Sequence, residues 1–152
     1  MSTANDKLSR LFEMQTSLND VIFEKHNIQS PTSDRTLTMR EIIEAFENGE
    51  LGVNDLPNVW LSKYSQALSE ELAELNEDLL WKWWSKDKID IQNIRVELVD
   101  ITHFLISAML CCGMTPEYLL DLYQQKHAIN LKRQEEGYNQ TTKSETDNKG
   151  IK

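Results

Sequence analysis

Helix breakers are scarce in this chain, and their scarcity constrains its fold more than any other feature of the sequence. Only five glycines and three prolines occur in 152 residues. The stretches between them are rich in Leu, Glu, Lys and Gln and lack the apolar–polar alternation of strands. Because these residue types favour helices, the sequence predicts an all-α protein.

Apolar residues at helical spacing divide the chain into four main helices and one short helix. The predicted main helices cover about residues 7–25, 59–85, 91–112 and 116–136, and the short one covers about 39–48. Thr38 and Thr115 are suitable N-caps, and Gly113 and Gly137 are suitable C-terminal glycines. The simplest arrangement of these helices is an antiparallel bundle.

One all-α domain is predicted over residues 1–138, since a chain of this length most simply forms one domain. Residues 139–152 contain almost no apolar side chains and are predicted to form a disordered polar tail. Cys111 and Cys112 are adjacent in an apolar run, which favours packed, reduced thiols over a strained disulfide.

The balance of charge narrows the classes of ligand. A net charge of -9 and a pI near 4.8 argue against binding a nucleic acid backbone, but a small phosphorylated molecule remains compatible.

The apolar run from 96 to 112 is interrupted by Glu97, Asp100 and His103, and the N-terminal segment is not that of a signal peptide. A soluble, cytoplasmic protein that does not bind membranes is therefore expected.

Two acid pairs are set at i,i+3 within apolar helical sequence. Glu71 and Glu74 lie at the edge of a leucine stripe that is predicted to be buried, whereas Glu70 and Glu77 fall on the opposite face. The stripe consists of Leu68, Leu72, Leu75 and Leu79. A solvated acidic face is the alternative for Glu71 and Glu74, and the spacing by itself leaves both interpretations open.

The second pair, Glu97 and Asp100, lies in a helix that is apolar on nearly all sides. Burying two unpaired acids there would cost several kcal/mol each, and basic residues are scarce on both helices. This favours a cation. Four oxygen ligands without cysteine suit Mg²⁺, with Mn²⁺ as a substitute, and Mg²⁺ suggests phosphate chemistry.

The last helix places Lys126, Asn130 and Arg133 on one face, where they could donate to phosphate oxygens, and Tyr138 could add a hydroxyl. A solvated basic face near a helix C-terminus is the alternative. On the first helix, Gln15 and Asn19 lie within an apolar stripe. These amides either contact a base edge or form a pair bonded within the core.

Three further features receive structural interpretations. The predicted stripe on the first helix is formed by Leu8, Leu11, Leu18 and Ile22. The aromatic residues Trp81, Trp83 and Trp84 are interpreted as core or interface rather than as stacking platforms. His103 is interpreted as a packed histidine.

Taken together, these elements resemble the dimeric all-α dUTPases, which are related to the MazG-like nucleoside triphosphate pyrophosphohydrolases. Five motifs carry the resemblance, in the family order, between about residues 8 and 138. They are MQTSLND, EELAEL, WKWW, IRVELVDITHFLIS and KHAINLKRQEEGY. A single ExxE pair is a weak signal, but five motifs in order are a specific one.

The resemblance implies hydrolysis of dUTP to dUMP and pyrophosphate, with the two acid pairs as Mg²⁺ ligands. We expect Glu71 or Glu74 also to activate the attacking water. The resemblance further implies a set of substrate contacts. These are phosphate contacts from Lys82, Lys126, Asn130, Arg133 and Tyr138, base contacts from Gln15 and Asn19, and packing of Phe104 on the deoxyribose.

The chain is compact, with only residues 114–116 joining the third main helix to the last. In this it resembles phage members of the family, some of which also act on dCTP. Two alternatives therefore stay open: a related pyrophosphohydrolase acting on dCTP or other deoxynucleoside triphosphates, and a non-catalytic helical interaction module. Family analogy, together with the apolar central helix and the tryptophans, predicts a homodimer.

Overall fold

The computed structural model describes residues 6–137 and 149–152, and its secondary structure is all-α, as predicted. Five helices are present in the described residues. They are α1 (Lys7–Lys25), α2 (Met39–Glu47), α3 (Leu56–Asp78), α4 (Ile91–Cys111) and α5 (Pro116–Glu135). The chain divides into two compact units, Met1–Gly113 and Met114–Lys152.

In the first unit α4 is the central helix, because it packs against α1, α2 and α3. The core of this unit is formed mainly by large apolar side chains. Its members are Phe12, Phe23, Leu37, Met39, Ile42, Ala45, Tyr64, Ile94, Ile106, Leu110 and Cys111.

Helix α1 has the predicted bounds but buries a different face. Asp6 caps it by accepting hydrogen bonds from the backbone of Leu8 and Ser9. The face that packs inward carries Phe12, Gln15, Asn19 and Phe23. The predicted stripe is wrong as a buried face, because Leu11, Leu18 and Ile22 are each more than 40% exposed.

Helix α2 begins where its cap predicts. The Thr38 hydroxyl accepts from the backbone N–H of Glu41 at 3.3 Å, and the carboxylate of Asp20 on α1 accepts from the N–H of Met39 at 2.7 Å. The second bond ties the start of α2 to α1, since it satisfies a backbone donor that the helix itself cannot.

Helix α3 ends seven residues earlier than the predicted limit at 85. Leu79 adopts an extended conformation and ends the helix, so the tryptophans that follow lie in a connection rather than on α3. The side chains of Trp81, Trp83 and Trp84 are 73%, 88% and 60% exposed and pack edge-to-face on one another. Their interpretation as core is wrong for the described chain, and helix propensity alone did not reveal the break.

Helix α4 ends as predicted, at a glycine. Gly113 has φ +65°, and a Cβ at this position would collide with the ring of Phe46. Both the left-handed backbone and the close approach require glycine. Cys111 is buried and Cys112 is half-buried, both as free thiols, and burial raises the pKa of Cys111 to about 12.

The second unit contains α5, which begins at Pro116 after its Thr115 cap, as predicted. Gln125 on this helix exchanges two hydrogen bonds with the backbone of Lys152. Most of the predicted tail, including residues 139–148, lies outside the described residues. Of the described helices, none alone has the length and apolar composition of a membrane span.

Candidate metal and nucleotide site

Three of the four predicted metal ligands meet where α3 packs on α4. One carboxylate oxygen from each of Glu71, Glu97 and Asp100 lies within 4.8 Å of the other two, and all three side chains are half-buried. The i,i+3 spacing within α4 directs Glu97 and Asp100 to the same side, and the packing of α3 brings Glu71 to them. The structure therefore brings together three of the four acids that the sequence selected; that they bind a metal stays a prediction.

Like charge and partial burial act together on this acid trio (Glu71, Glu97 and Asp100). Desolvation, followed by repulsion from Glu74, Asp100 and Glu97, raises the pKa of Glu71 above its ordinary value. Desolvation and repulsion from Glu74, Asp78 and Asp100 likewise raise the pKa of Glu97. Carboxylates that resist ionisation because they face one another are suited to hold a divalent cation, which removes the repulsion.

Glu74 is exposed and lies outside the acid trio, although its charge raises the pKa of both Glu71 and Glu97. Glu70 and Glu77 are exposed, as predicted. The leucine stripe of α3 is less buried than predicted. Leu72 and Leu79 are 47% and 42% exposed, respectively.

Two residues beside the acid trio were not identified from the sequence. The amide of Asn93 donates to the carboxylate of Asp78 and, at 3.4 Å, to Glu97. Asp78 lies four residues after Glu74 and therefore on the same face of α3. This spacing could have identified Asp78 from the sequence. The Asn93 amide opposes the rise in the pKa of Glu97.

The predicted base-contacting amides lie in a buried polar cluster where α1 packs on α4. Gln15 and Asn19 are 5% and 3% exposed and bond to each other and to Ser107. His103 lies beside Gln15, with Nδ1 2.5 Å from Oε1. His103 is exposed and has a partner, so its interpretation as a packed histidine is wrong. Phe104 is half-buried.

The predicted phosphate contacts fall in two places. Lys126 and Arg133 are half-buried on α5 and Asn130 is exposed there; Asn130 and Arg133 line a concave surface of the helix. Lys82 is exposed in the connection after α3, with its ammonium group 5.4 Å from the centre of the Trp81 ring. Tyr138 lies outside the described residues.

The fold and the acid trio define the class of protein: an all-α protein with a carboxylate site between two helices. A protein-family model described as dUTPase matches residues 7–117, and the chain belongs to this dUTPase family. The match includes α1 to α4, and therefore both the acid trio and the buried polar cluster.

Two curated phage proteins are similar to the chain. One is a dCTP pyrophosphatase of Enterobacteria phage LZ5, 26% identical, with 89% of this chain and 73% of the relative covered. The other is a dCTP pyrophosphatase of Enterobacteria phage T4, 28% identical, with 52% of this chain and 61% of the relative covered. No solved structure matches the chain.

Proposed function

We propose that this protein hydrolyses a pyrimidine deoxynucleoside triphosphate, dUTP or dCTP, to the monophosphate and pyrophosphate. The observation that carries the proposal is the approach of three carboxylates from α3 and α4 within 4.8 Å. Membership of the dUTPase family supports dUTP. The names of the two phage relatives support dCTP as the alternative.

Glu71, Glu97 and Asp100 fit the role of Mg²⁺ ligands, because hard oxygen donors held close together gain most from a divalent cation, and the pKa values of Glu71 and Glu97 are raised by their acidic neighbours and by desolvation. Mn²⁺ would serve as a substitute. When bound, the cation would supply charge neutralisation at the phosphates and acidify a coordinated water. Asn93 would help to orient Glu97 through its amide.

Glu74 has a different role in this proposal. Since it is exposed and lies outside the acid trio, its carboxylate remains available to accept the proton of the water that attacks the α-phosphorus. Glu71 is the other candidate for this role from the sequence. Its position within the trio favours metal binding instead.

The remaining substrate contacts rest on the family resemblance. Lys126, Asn130, Arg133 and Tyr138 are proposed to bind the phosphates, with Lys82 as a further contact. Phe104 is proposed to pack on the deoxyribose. Gln15 and Asn19 are proposed to act in base recognition, as the resemblance implies.

A homodimer forms part of the proposal. Helices α1, α3 and α4 carry exposed apolar side chains. A monomer would leave these side chains in water, whereas a dimer interface could bury them. They include Leu11, Met14, Leu18, Val21, Leu72, Leu98, Val99 and Leu105. Light scattering at working concentration tests this part, and a monomer would contradict it.

A panel of the four canonical deoxynucleoside triphosphates plus dUTP, incubated with Mg²⁺ and scored for pyrophosphate release, tests the proposed activity. We expect hydrolysis of dUTP, dCTP or both, with loss of activity in EDTA. If no nucleotide is cleaved, the non-catalytic interaction module replaces the enzyme. Release of inorganic phosphate instead of pyrophosphate would contradict attack at the α-phosphorus.

A further inference from the structure

The faces of α3 and α4 that carry the acids meet in an antiparallel register of three opposed pairs. The pairs are Glu71 with Asp100, Glu74 with Glu97, and Asp78 with Asn93. Steps of three and then four residues separate their members on each helix, which keeps them on one face. An acid opposes an acid in the first two pairs, whereas an amide opposes an acid in the third. The third pair is therefore held by attraction, while like charges repel in the other two.

Asn93 links the two helices at this end of the acid face. Its Nδ2 donates to Oδ2 of Asp78, the last residue of α3. The same nitrogen donates, at 3.4 Å, to Oε1 of Glu97, one turn further along α4. Ionised carboxylates only accept hydrogen bonds, so rotation of the amide by 180° would turn its oxygen toward two acceptors. The amide is therefore held with its nitrogen between one carboxylate from each helix.

The donor from Asn93 opposes the repulsion that acts on Glu97. After desolvation, the charges of the neighbouring acids raise the pKa of Glu97, and the bond from Asn93 opposes the rise. Asp78 acts on Glu97 in two opposite ways, because its charge repels Glu97 directly while its bond to Asn93 holds the donor in place. Solvent screens the repulsion, since both carboxylates are only half-buried, whereas the hydrogen bond acts at contact.

We infer that Asp78 is a positioning residue for the metal site: it fixes the amide of Asn93, and Asn93 in turn holds Glu97 in the orientation that a divalent cation needs. This inference rests on the proposed function, and it adds a residue that acts on the cation only through others. The bond between Asp78 and Asn93 also joins the last residue of α3 to the first turn of α4. It therefore maintains the register of the acids before a cation binds.

Binding of Mn²⁺ to the nucleotide-free protein, measured by titration with electron paramagnetic resonance, tests the inference without reference to hydrolysis. We expect Asp78→Ala to raise the Kd for Mn²⁺ by about 10-fold, the lower end of the effects of groups that orient metal ligands. Asp78→Asn should raise this Kd by less than about threefold, because the amide oxygen of the new side chain still accepts from Asn93 although the charge is lost.

Glu77→Ala and Glu77→Gln are the matched controls. Glu77 is the neighbouring acid and is exposed, so each control removes one charge from the same end of α3. We expect both controls to bind Mn²⁺ with a Kd within about twofold of the wild-type value, since solvent screens an exposed charge. Equal weakening in Asp78→Ala and Asp78→Asn would attribute the effect to charge and overturn the inference. A wild-type Kd in Asp78→Ala would overturn it as well.

A double-mutant cycle tests whether Asp78 acts through Asn93. We expect Asn93→Ala to raise the Kd for Mn²⁺ by about 10-fold, and addition of Asp78→Ala should raise it no further, because both changes release the same amide. Independent effects would multiply to about 100-fold and would contradict the inference. Melts in EDTA verify that each variant is folded. If Asp78→Ala is unfolded, Asp78→Leu replaces it, because leucine retains the size of the side chain without an acceptor.

Pyrophosphate release separates failure of this inference from failure of the proposed function. If the variants show the expected order of Mn²⁺ affinities but the wild-type protein cleaves no nucleotide, the proposed function is refuted and the role of Asp78 stands. If the wild-type protein hydrolyses nucleotide and Asp78→Ala binds Mn²⁺ as tightly as the wild-type protein, the role of Asp78 is refuted and the proposed function stands. A wild-type protein that does not bind Mn²⁺ would also overturn the inference.

Discussion

Two polar clusters lie along α4, one at its contact with α1 and one at its contact with α3, and they differ in how their polar groups are satisfied. On the side of α1, the amides of Gln15 and Asn19 are buried and bond to Ser107 and to each other. On the side of α3, Glu71 and Glu97 are half-buried among like charges that raise their pKa values. A satisfied cluster specifies the fold, whereas repelling acids that are kept together indicate a site for a ligand.

The largest expected effect is on catalysis at the acid trio. We expect Glu97→Gln to reduce pyrophosphate release by about 100-fold or more, because it removes a proposed metal ligand. The fold should be preserved, since the amide is nearly isosteric and relieves repulsion. Glu70→Gln is the control on the exposed face of α3, and equal rates for both variants would contradict the assignment of Glu97.

Mg²⁺ should stabilise the protein through the same acids. At a concentration 100 times Kd, binding to the folded state alone raises the free energy of unfolding by about 2.7 kcal/mol. Thermal melts with Mg²⁺ and with EDTA should therefore differ in Tm for the wild-type protein. An equal rise in Tm for Glu97→Gln would place the cation elsewhere.

Substitution in the buried polar cluster of Gln15, Asn19 and Ser107 should lower the stability of the protein. We expect Asn19→Ala to lower the free energy of unfolding by about 1–3 kcal/mol, because it removes the acceptor of one buried N–H of Gln15 and a donor to Ser107. Urea unfolding measures this change, and Gln66→Ala at an exposed position of α3 serves as the comparison. A difference below about 0.5 kcal/mol between the two variants would show that the cluster is not a stabilising element.

The smallest expected effect is that of pH on the metal-free protein. Because Glu71 and Glu97 have raised pKa values when folded, the folded state binds more protons than the unfolded state just above their ordinary value of 4.5. Stability should therefore fall as pH rises through this window, and the slope should be shallow because both side chains are solvent-accessible. Urea midpoints in EDTA measure it, and Glu97→Gln should flatten the slope.

Local signals in the sequence were sufficient for most helix ends. Thr38, Thr115 and Gly113 act within one turn of the backbone, so their effect does not depend on distant parts of the chain. The end of α3 was predicted incorrectly because the residues after Leu79 have adequate helix propensity. Helix propensity is a weak constraint, and tertiary packing overrides it where a further helical turn would have nothing to pack against.

The four candidate acids, Glu71, Glu74, Glu97 and Asp100, were predictable because i,i+3 spacing fixes which side chains share a face. Which of these acids form the trio was not predictable, since Glu74 shares the spacing but is exposed. The place of Asp78 beside the trio is evident only from its contact with Asn93 in the structure. Selection among acids on one face depends on the axial offset between two packed helices. That offset is a property of side-chain packing and is not encoded in the periodicity of either helix.

The sequence by itself therefore determined the all-α class, the main helices and the acid and amide pairs, because these follow from contacts within a few residues. Only the tertiary structure decided which face of α1 is buried and that Ser107, 92 residues from Gln15, completes its hydrogen bonds. The same applies to the choice of Glu71 rather than Glu74 for the trio. Each of these depends on which atoms of different helices come within hydrogen-bonding or ligand distance, and that distance is set by packing.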